Sequence, residues 1–456
     1  MEKFSIIMPV YNKEHFLKDA IQSVINQTIN FKRCIELIIV NDGSTDKSTE
    51  ICLYYKEKFP ENIRYIQIEN SGPSVARTVG LDMISNDVNY IGFLDADDKF
   101  SINALEKVSR FFRENSVDMA IIPIKYFSSQ GIESEHSLNY RFNNRNRVIN
   151  ILNDYKHIHF YIGGVFFKKA VYDNKSFYFD KTLSYWEDAL SLNQYLLRNH
   201  CYGVVNDTYY YYRREEQGNS LVDNSWYSKI RYSFLIENGY LKLINLSIEL
   251  YGIVLPYIQY LIIYHIKLYL YKKNSEILMS VLSEGELEDF IDSIITVLQY
   301  IEDIYIEEQD MKHYYKEFLI SLKKNKWPLK LETILKENNV DQIIIKKKKF
   351  LGLGIKIIGY YSSESYILSK KDYISVKLGK KVMLCHPKDI QKKVQIWGVE
   401  IRDFKYAGFE IFIPIHRLNI QFFLNRYDGS IVELNSINYY RRLIRKLGFI
   451  FKQKHV

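Results

Sequence analysis

Cysteine is scarce in this chain of 456 residues: Cys34, Cys52, Cys201 and Cys385 stand far apart, and no CxxC occurs. That excludes a disulfide framework and a thiolate zinc site, and it fits a reducing compartment. An apolar run of membrane length is also lacking. The stretch that needs checking, Leu250 to Ile266, has no formal charge but is only 17 residues long and contains Pro256, Gln259 and His265. A buried helix is expected there rather than a span. The opening Met1-Glu2-Lys3-Phe4 leads straight into strand-like sequence, so no signal peptide is expected. Neither an internal repeat nor a low-complexity segment is present.

What is abundant is aromatic: 39 Tyr and 26 Phe. Most must lie in cores, but a Tyr ring and hydroxyl also suit a sugar or nucleotide site. With 47% hydrophobic and 25% charged residues, the composition is that of a folded protein of two or three domains. The net charge of +8 is uneven. Lys346–Lys349 form one basic cluster, and Arg441, Arg442, Arg445, Lys446, Lys452 and Lys454 form another. Such clusters serve as solvated faces or meet anionic lipid or polymer.

The first 130 residues alternate strand and helix signals. Apolar runs of strand length fall at Phe4–Val10, Glu36–Val40, Ile63–Ile68, Tyr90–Leu94 and Met119–Tyr126. Several are unbroken, as in strands covered on both faces. Helical spacing joins Phe16 to Ile25 and Ala104 to Phe112, with Ser101 as the expected cap of the second. The implied fold class is α/β, a mostly parallel sheet with helices on both faces. Residues 226–345 read as helical, with a long amphipathic run from Ile277 to Tyr305. Residues 346–456 read as a small β domain, with strands near Tyr373–Val376, Val394–Val399, Phe409–Pro414 and Ile420–Leu424 and a turn at Asp428-Gly429. The expected domains are 1–225, 226–345 and 346–456.

Polar residues gather where the strands end: Pro9-Val10-Tyr11-Asn12, Asn41-Asp42-Gly43-Ser44, Asn70-Ser71-Gly72 and Asp95-Ala96-Asp97-Asp98. Open α/β sheets bind ligands beyond their strands' carboxyl ends. Asp95 and Asp97 are spaced to share a hard cation, Mn2+ or Mg2+, and Asp98 adds further negative charge. Asp42 either accepts hydrogen bonds from a base or makes an Asx-turn. Tyr11 is a stacking candidate, and Arg77 can pair with a site carboxylate or a phosphate. Further on, Trp186-Glu187-Asp188 opens a helix, where a carboxylate serves as a cap or as a general base.

These motifs, together with Tyr210-Tyr211-Tyr212-Arg213-Arg214, resemble glycosyltransferase family 2, inverting enzymes of the GT-A fold. The resemblance covers residues 1 to about 225. It implies that Pro9, Tyr11 and Asp42 hold the base and ribose and that Asn70 and Arg77 shape the nucleotide pocket. Asp95, Ala96 and Asp97 would form the Asp-x-Asp motif, with Asp97 the direct metal ligand. Asp188 would be the base beside Glu187, and Arg213 and Arg214 would close on the diphosphate. Two departures stand out: Thr78 where Asn usually follows the arginine, and Glu215-Glu216 where relatives carry a basic loop. A UDP-sugar donor and a teichoic acid or capsular polysaccharide acceptor are implied, with no nucleic-acid partner. The implied location is the cytoplasm, with the basic end at the inner membrane face. The C-terminal region would hold acceptor or form an oligomer. The rival readings are a scaffold that keeps a dead transferase domain and a nucleotidyltransferase. The latter wants a Gly-rich loop after the first strand, and Pro9-Val10-Tyr11-Asn12 is not one.

Overall fold

The structure is a computed structural model. It describes residues 2–438 apart from 143–144, 181–182, 184, 215–220, 326, 328–341, 353, 364–365 and 415–418. The Glu215-Glu216 departure and the basic residues from Arg441 onward therefore lie outside the described residues. The chain divides into two compact units, residues 1–265 with 281–305, and residues 266–280 with 306–456.

In the first unit, four parallel strands form the heart of an eight-stranded sheet: β1 (Phe4–Val10), β2 (Ile35–Asp42), β3 (Ile63–Ile68) and β4 (Tyr90–Phe93). Other strands of the unit are β5 (Lys99–Phe100), β6 (Met119–Ile121), β7 (Ile124–Ser128), β8 (Gly131–Glu135), β9 (Arg147–Asn150), β10 (Val165–Lys168), β11 (Cys201–Val204) and β12 (Tyr210–Arg213). The sheet order is β3-β2-β1-β4-β10-β6-β11-β9, in which β10 and β9 run antiparallel to their neighbours. A second sheet, β5-β12-β7-β8, carries the chain past the site.

The unbroken apolar strands have the expected cause, since alternate residues serve opposite faces. Ile6, Met8, Leu37 and Ile39 pack with Leu17, Ile21, Leu105 and Phe111, while Ile38 and Val40 pack with Ala76. Helices thus cover both sides.

Three local expectations need correction. The run Met119–Tyr126 is two strands, because Pro123 has no amide for the ladder and β7 leaves for the second sheet. Asn103, not Ser101, precedes helix Ala104–Glu114, with no side-chain cap; the Ser101 hydroxyl accepts from the Tyr209 amide instead. The run Ile277–Tyr305 is divided at Ser283, whose capping box with Glu286 starts a new helix, Glu284–Gln299. Leu250–Ile266 holds a helix end and, from Pro256, a helix whose residues Tyr257, Ile258, Leu261, Ile262 and Ile266 are buried. No helix among the described residues is long and apolar enough to cross a membrane.

The second unit contains two four-stranded antiparallel sheets. One is β13 (Gln342–Leu351), β14 (Gly354–Ser362), β20 (Gly408–Pro414) and β17 (His386–Lys388). The other is β16 (Lys381–Leu384), β15 (Tyr373–Leu378), β21 (Asn419–Asn425) and β22 (Ile431–Asn438). A hairpin of β18 (Lys393–Ile396) and β19 (Val399–Asp403) lies between β17 and β20 in sequence. Ile357, Val376, Ile411 and Phe422 belong to one shared core. Lys346–Lys349 are exposed on β13, an edge strand, where lysines discourage further strand pairing.

Candidate active site

Two loops at the ends of β1 and β2 are stitched together by their own polar side chains. The Asn12 amide donates to Ser44 Oγ at 3.1 Å, and Asn12 Oδ1 accepts from the Thr45 amide at 2.8 Å. The Lys13 and Glu14 amides donate to Ser48 Oγ and Asp46 Oδ2. The Asx-turn that is one of the two readings for Asp42 belongs to Asn41, whose Oδ1 accepts from the Ser44 amide at 2.9 Å. Asp42 itself is buried and reaches across, accepting from the Ser71 and Gly72 amides at 2.7 and 2.9 Å. Gly43 has φ +74°, and a Cβ there would stand 2.9 Å from the Asn70 backbone nitrogen; only glycine suits that close approach. Asp42 and Asn70 are thereby set side by side. Pro9 lies within β1, and Tyr11 is exposed just beyond it.

The Asp cluster is held by cations and a phenol. Arg77, 4% exposed on helix Pro73–Asp82, donates to Asp95 Oδ1 at 2.9 Å and to Asp188 Oδ1 at 3.0 Å, with Glu187 Oε1 at 3.4 Å. Burial works against this guanidinium's charge, but Asp188, Asp95 and Glu187 hold its pKa above the ordinary value. Of the two partners open to it, Arg77 takes the carboxylates.

Lys13 Nζ lies 2.5 Å from Asp97 Oδ2. Asp98 is not an open charge. It is 2% exposed and accepts from the Tyr210 hydroxyl at 2.7 Å and the Arg213 amide at 2.8 Å. Burial, then the Asp97 and Asp95 charges, raise its pKa well above the carboxylate range. Ala96 is buried between its acidic neighbours.

Among the described residues no group of three or more His, Cys, Asp or Glu is placed to hold a metal. What the turn offers is Asp95 Oδ2 and Asp97 Oδ1, both uncommitted among the described residues, on side chains that are about a third exposed. One or two carboxylates completed by phosphate oxygens and water is a donor set that Mg2+ accepts. The residues fit a cation that arrives with a diphosphate.

Asp188 lies in the first turn of helix Glu187–Asn199, where the dipole favours negative charge. Its Oδ2 accepts from the Ile162 amide at 3.2 Å. Burial raises the pKa of Asp188, against the pull of Arg77. Burial and the Asp188 charge push Glu187 up to about 8. Burial thus works against two adjacent negative charges here, and Arg77 offsets part of that cost. The turn before them carries strain: Trp186 has φ +69°, a conformation costly for a bulky residue. Its ring stacks on His265 at 5.4 Å and meets Tyr240 edge-on at 5.2 Å. That packing holds the strained turn.

The two arginines at the end of β12 have different surroundings. Arg213 is packed between Phe16 and Phe127, 4.4 Å from each ring, and donates through Nε to the Asp97 carbonyl at 2.8 Å. It braces the Asp turn instead of standing in the open mouth. Arg214 is exposed, 3.5 Å above the Tyr126 ring.

Sequence reasoning missed Lys13, one position past the motif it singled out. It also missed Tyr210, which lay in a stretch read for its arginines. A third omission was Gly163-Gly164, where a Cβ on either would come within 3.1 Å of Tyr210 atoms. The glycine pair was the available signal, because it stands next to the Ile162 amide that holds Asp188.

The chain can now be set beside known proteins. The profile described as Glycosyl transferase family 2 matches residues 5–175. The Minor teichoic acid biosynthesis protein GgaA of Bacillus subtilis (strain 168) is 43% identical over 453 residues, 99% of this chain and 100% of that one. The Poly(ribitol-phosphate) beta-N-acetylglucosaminyltransferase TarS of Staphylococcus aureus (strain Mu50 / ATCC 700699) is 25% identical over 218 residues, 48% of this chain and 36% of that one. A crystal structure of S. aureus TarS superposes with TM-score 0.56 at 14% identity, covering 95% of this chain and 77% of that one. TarS 1-349 in complex with UDP-GlcNAc gives 0.55 at 19%, covering 71% and 87%. The fold is that of these GT-A-type enzymes. Joined by the profile match and by full-length similarity to GgaA, the chain belongs to glycosyl transferase family 2 and is a glycosyltransferase.

Proposed function

We infer that this enzyme moves a sugar from a UDP-sugar to a hydroxyl of a teichoic acid chain, inverting the anomeric carbon. The reading rests on one observation: a single buried guanidinium, Arg77, joins Asp95 at the end of the parallel sheet to Asp188 at the helix start. Donor-side and acceptor-side carboxylates are thereby fixed against one another. The names of the relatives support the substrate class, TarS for the donor and GgaA for the polymer.

Asp188 takes the proton of the acceptor hydroxyl, whose oxygen attacks the anomeric carbon as the bond to UDP breaks on the opposite face. Arg77 and the Ile162 amide keep Asp188 oriented, with Glu187 beside it. Asp42, Asn70, Pro9 and Tyr11 receive the nucleoside. Asp97 and Asp95 would hold a divalent ion, Mn2+ or Mg2+, which supplies positive charge against the departing diphosphate. Arg213 acts through the Asp turn, and Arg214 lies over the Tyr126 ring. The work is assigned to the cytoplasm at the inner membrane face, with the second unit holding polymer or forming an oligomer. Residues 1–225, 226–345 and 346–456 would be its catalytic, helical and acceptor-holding parts.

Calorimetric titration with UDP, GDP and CDP, with and without Mn2+, tests the reading. UDP alone should bind, and binding should be lost without metal or in Asp97→Ala. No binding by any of the three nucleotides in the presence of metal would overturn it.

A further inference from the structure

A row of aromatic rings runs from the Asp turn to the base, and the transfer chemistry derived above leaves it unused. It starts at Tyr212, whose phenol feels the charges of Asp98, Asp97 and Asp95. Tyr126 follows, 5.8 Å from Tyr212 and 5.8 Å from His136. His136 lies 5.1 Å from Tyr161. Tyr161 immediately precedes Ile162, whose amide holds Asp188. From there Phe160 continues the row, 5.7 Å from Tyr161 and 5.6 Å from Tyr264. All six residues are partly exposed.

A core would hide these rings, and a solvated surface would not line up six of them. The frame beneath them is rigid. Arg141, fully buried, donates to the Leu138 and Ile158 carbonyls and to the Tyr161 hydroxyl. Among the described residues no carboxylate pairs with Arg141 or with Arg214, which lies on Tyr126. Arg214 thus brings to the row a guanidinium with no carboxylate partner among the described residues. His136 adds a directed donor. Its Nδ1 accepts from the Leu138 amide at 3.1 Å, so the neutral ring carries its proton on Nε2. Burial, Arg141 and Arg214 together push the imidazole pKa down to about 3, which keeps the ring neutral. That Nε2–H has no partner among the described residues.

We propose that this row is the acceptor track: ring faces carry the CH faces of successive sugar or polyol units, and the His136 Nε2–H and Arg214 receive the phosphates between them. Resting on the transferase reading, it names the surface that brings the attacking hydroxyl to Asp188. Aromatic faces suit apolar ring or polyol CH surfaces, and an uncompensated guanidinium suits a phosphodiester. A neutral polymer would leave that charge unmatched.

The test uses the full chain and two variants, His136→Asn and Phe160→Leu. Asn keeps an oxygen for the Leu138 amide but removes the ring and its N–H. Leu keeps apolar volume. Binding of a poly(ribitol phosphate) oligomer and of a hexose-phosphate oligomer is followed by tyrosine fluorescence, and UDP binding with Mn2+ by calorimetry. One oligomer should bind the unaltered chain, and each variant should weaken it about tenfold, the loss of one directed contact or stacked face, with UDP affinity unchanged. The proposal is overturned if both variants bind the oligomer as the unaltered chain does, if UDP affinity falls in step, or if the unaltered chain binds UDP and neither oligomer. Failure of the unaltered chain to bind UDP would count against the transferase reading instead.

Discussion

Arg77 and Asp188 are joined at 3.0 Å across 111 positions of sequence, and the same guanidinium holds Asp95 at 2.9 Å. Arg77→Ala would leave the buried Glu187 and the part-exposed Asp95 and Asp188 facing one another with no counter-charge. The expected loss of stability is about 3–5 kcal/mol, as for the breaking of other buried pairs, read as a lower urea midpoint. Arg77→Lys should fold better but lose transfer, because one ammonium cannot hold Asp95 and Asp188 in a fixed fork.

Asp188→Asn would remove the proposed proton acceptor while keeping shape. Turnover should fall by about 10²–10⁴-fold, the usual worth of a positioned base, while calorimetric UDP affinity stays within about twofold. Unchanged turnover would remove Asp188 from the chemistry.

Glu187 binds its proton more tightly folded than unfolded, since its pKa rises from 4.5 to about 8. Its contribution is therefore complete below pH 4.5 and declines as pH rises towards 8, where the folded carboxyl must ionise. Glu187→Gln keeps the shape of the side chain and cannot ionise. Its stability, read from denaturant melts, should fall less than that of the unaltered chain between pH 5 and 8, by roughly a few kcal/mol at the upper end.

A metal ion held on Asp97 Oδ1, as proposed, would share that carboxylate with Lys13 on Oδ2. Lys13→Met should lower the Mn2+ concentration needed for half-saturation, measured without nucleotide, by about fivefold, in keeping with a partly exposed charge pair. A rise would mean that the ammonium helps build the site.

Tyr210 joins the two halves of the Asp turn, donating to Asp98 and accepting from the Asp95 amide at 3.2 Å. Tyr210→Phe should cost about 1–3 kcal/mol for the unsatisfied buried Asp98. Gly163→Ala, which would set a Cβ 2.8 Å from the Tyr210 ring, should cost a similar amount, about 1–3 kcal/mol. Chemical denaturation measures both.

Much of this was legible in the sequence, for a local reason. The strand periods of residues 4–10, 36–40 and 63–68 decide both register and face, so Asp42, Asn70 and Asp95 had to emerge at one edge. The small β domain was legible likewise, from alternation and an Asp428-Gly429 turn that the structure places between β21 and β22. What stayed hidden was pairing between distant side chains. Nothing near Lys13 indicates that it meets Asp97, and nothing near Asp98 indicates that Tyr210 and the Arg213 amide bury it. The break at Pro123 was readable, since proline cannot continue a central ladder, but the apolar residues on both sides masked it.

Trp186 has a consequence in time. Its strained turn orients the Glu187–Asp188 pair, yet the rings that grip it, Tyr240 and His265, are synthesised 54 and 79 positions later. As the chain leaves the ribosome, the parallel sheet has all its central strands long before Asp188 has a fixed perch. A nascent chain stopped at residue 225 would own every carboxylate of the site and still lack the grip that aims one of them. Competence for transfer should therefore arrive late in translation, after the helix that starts at Pro256 has docked.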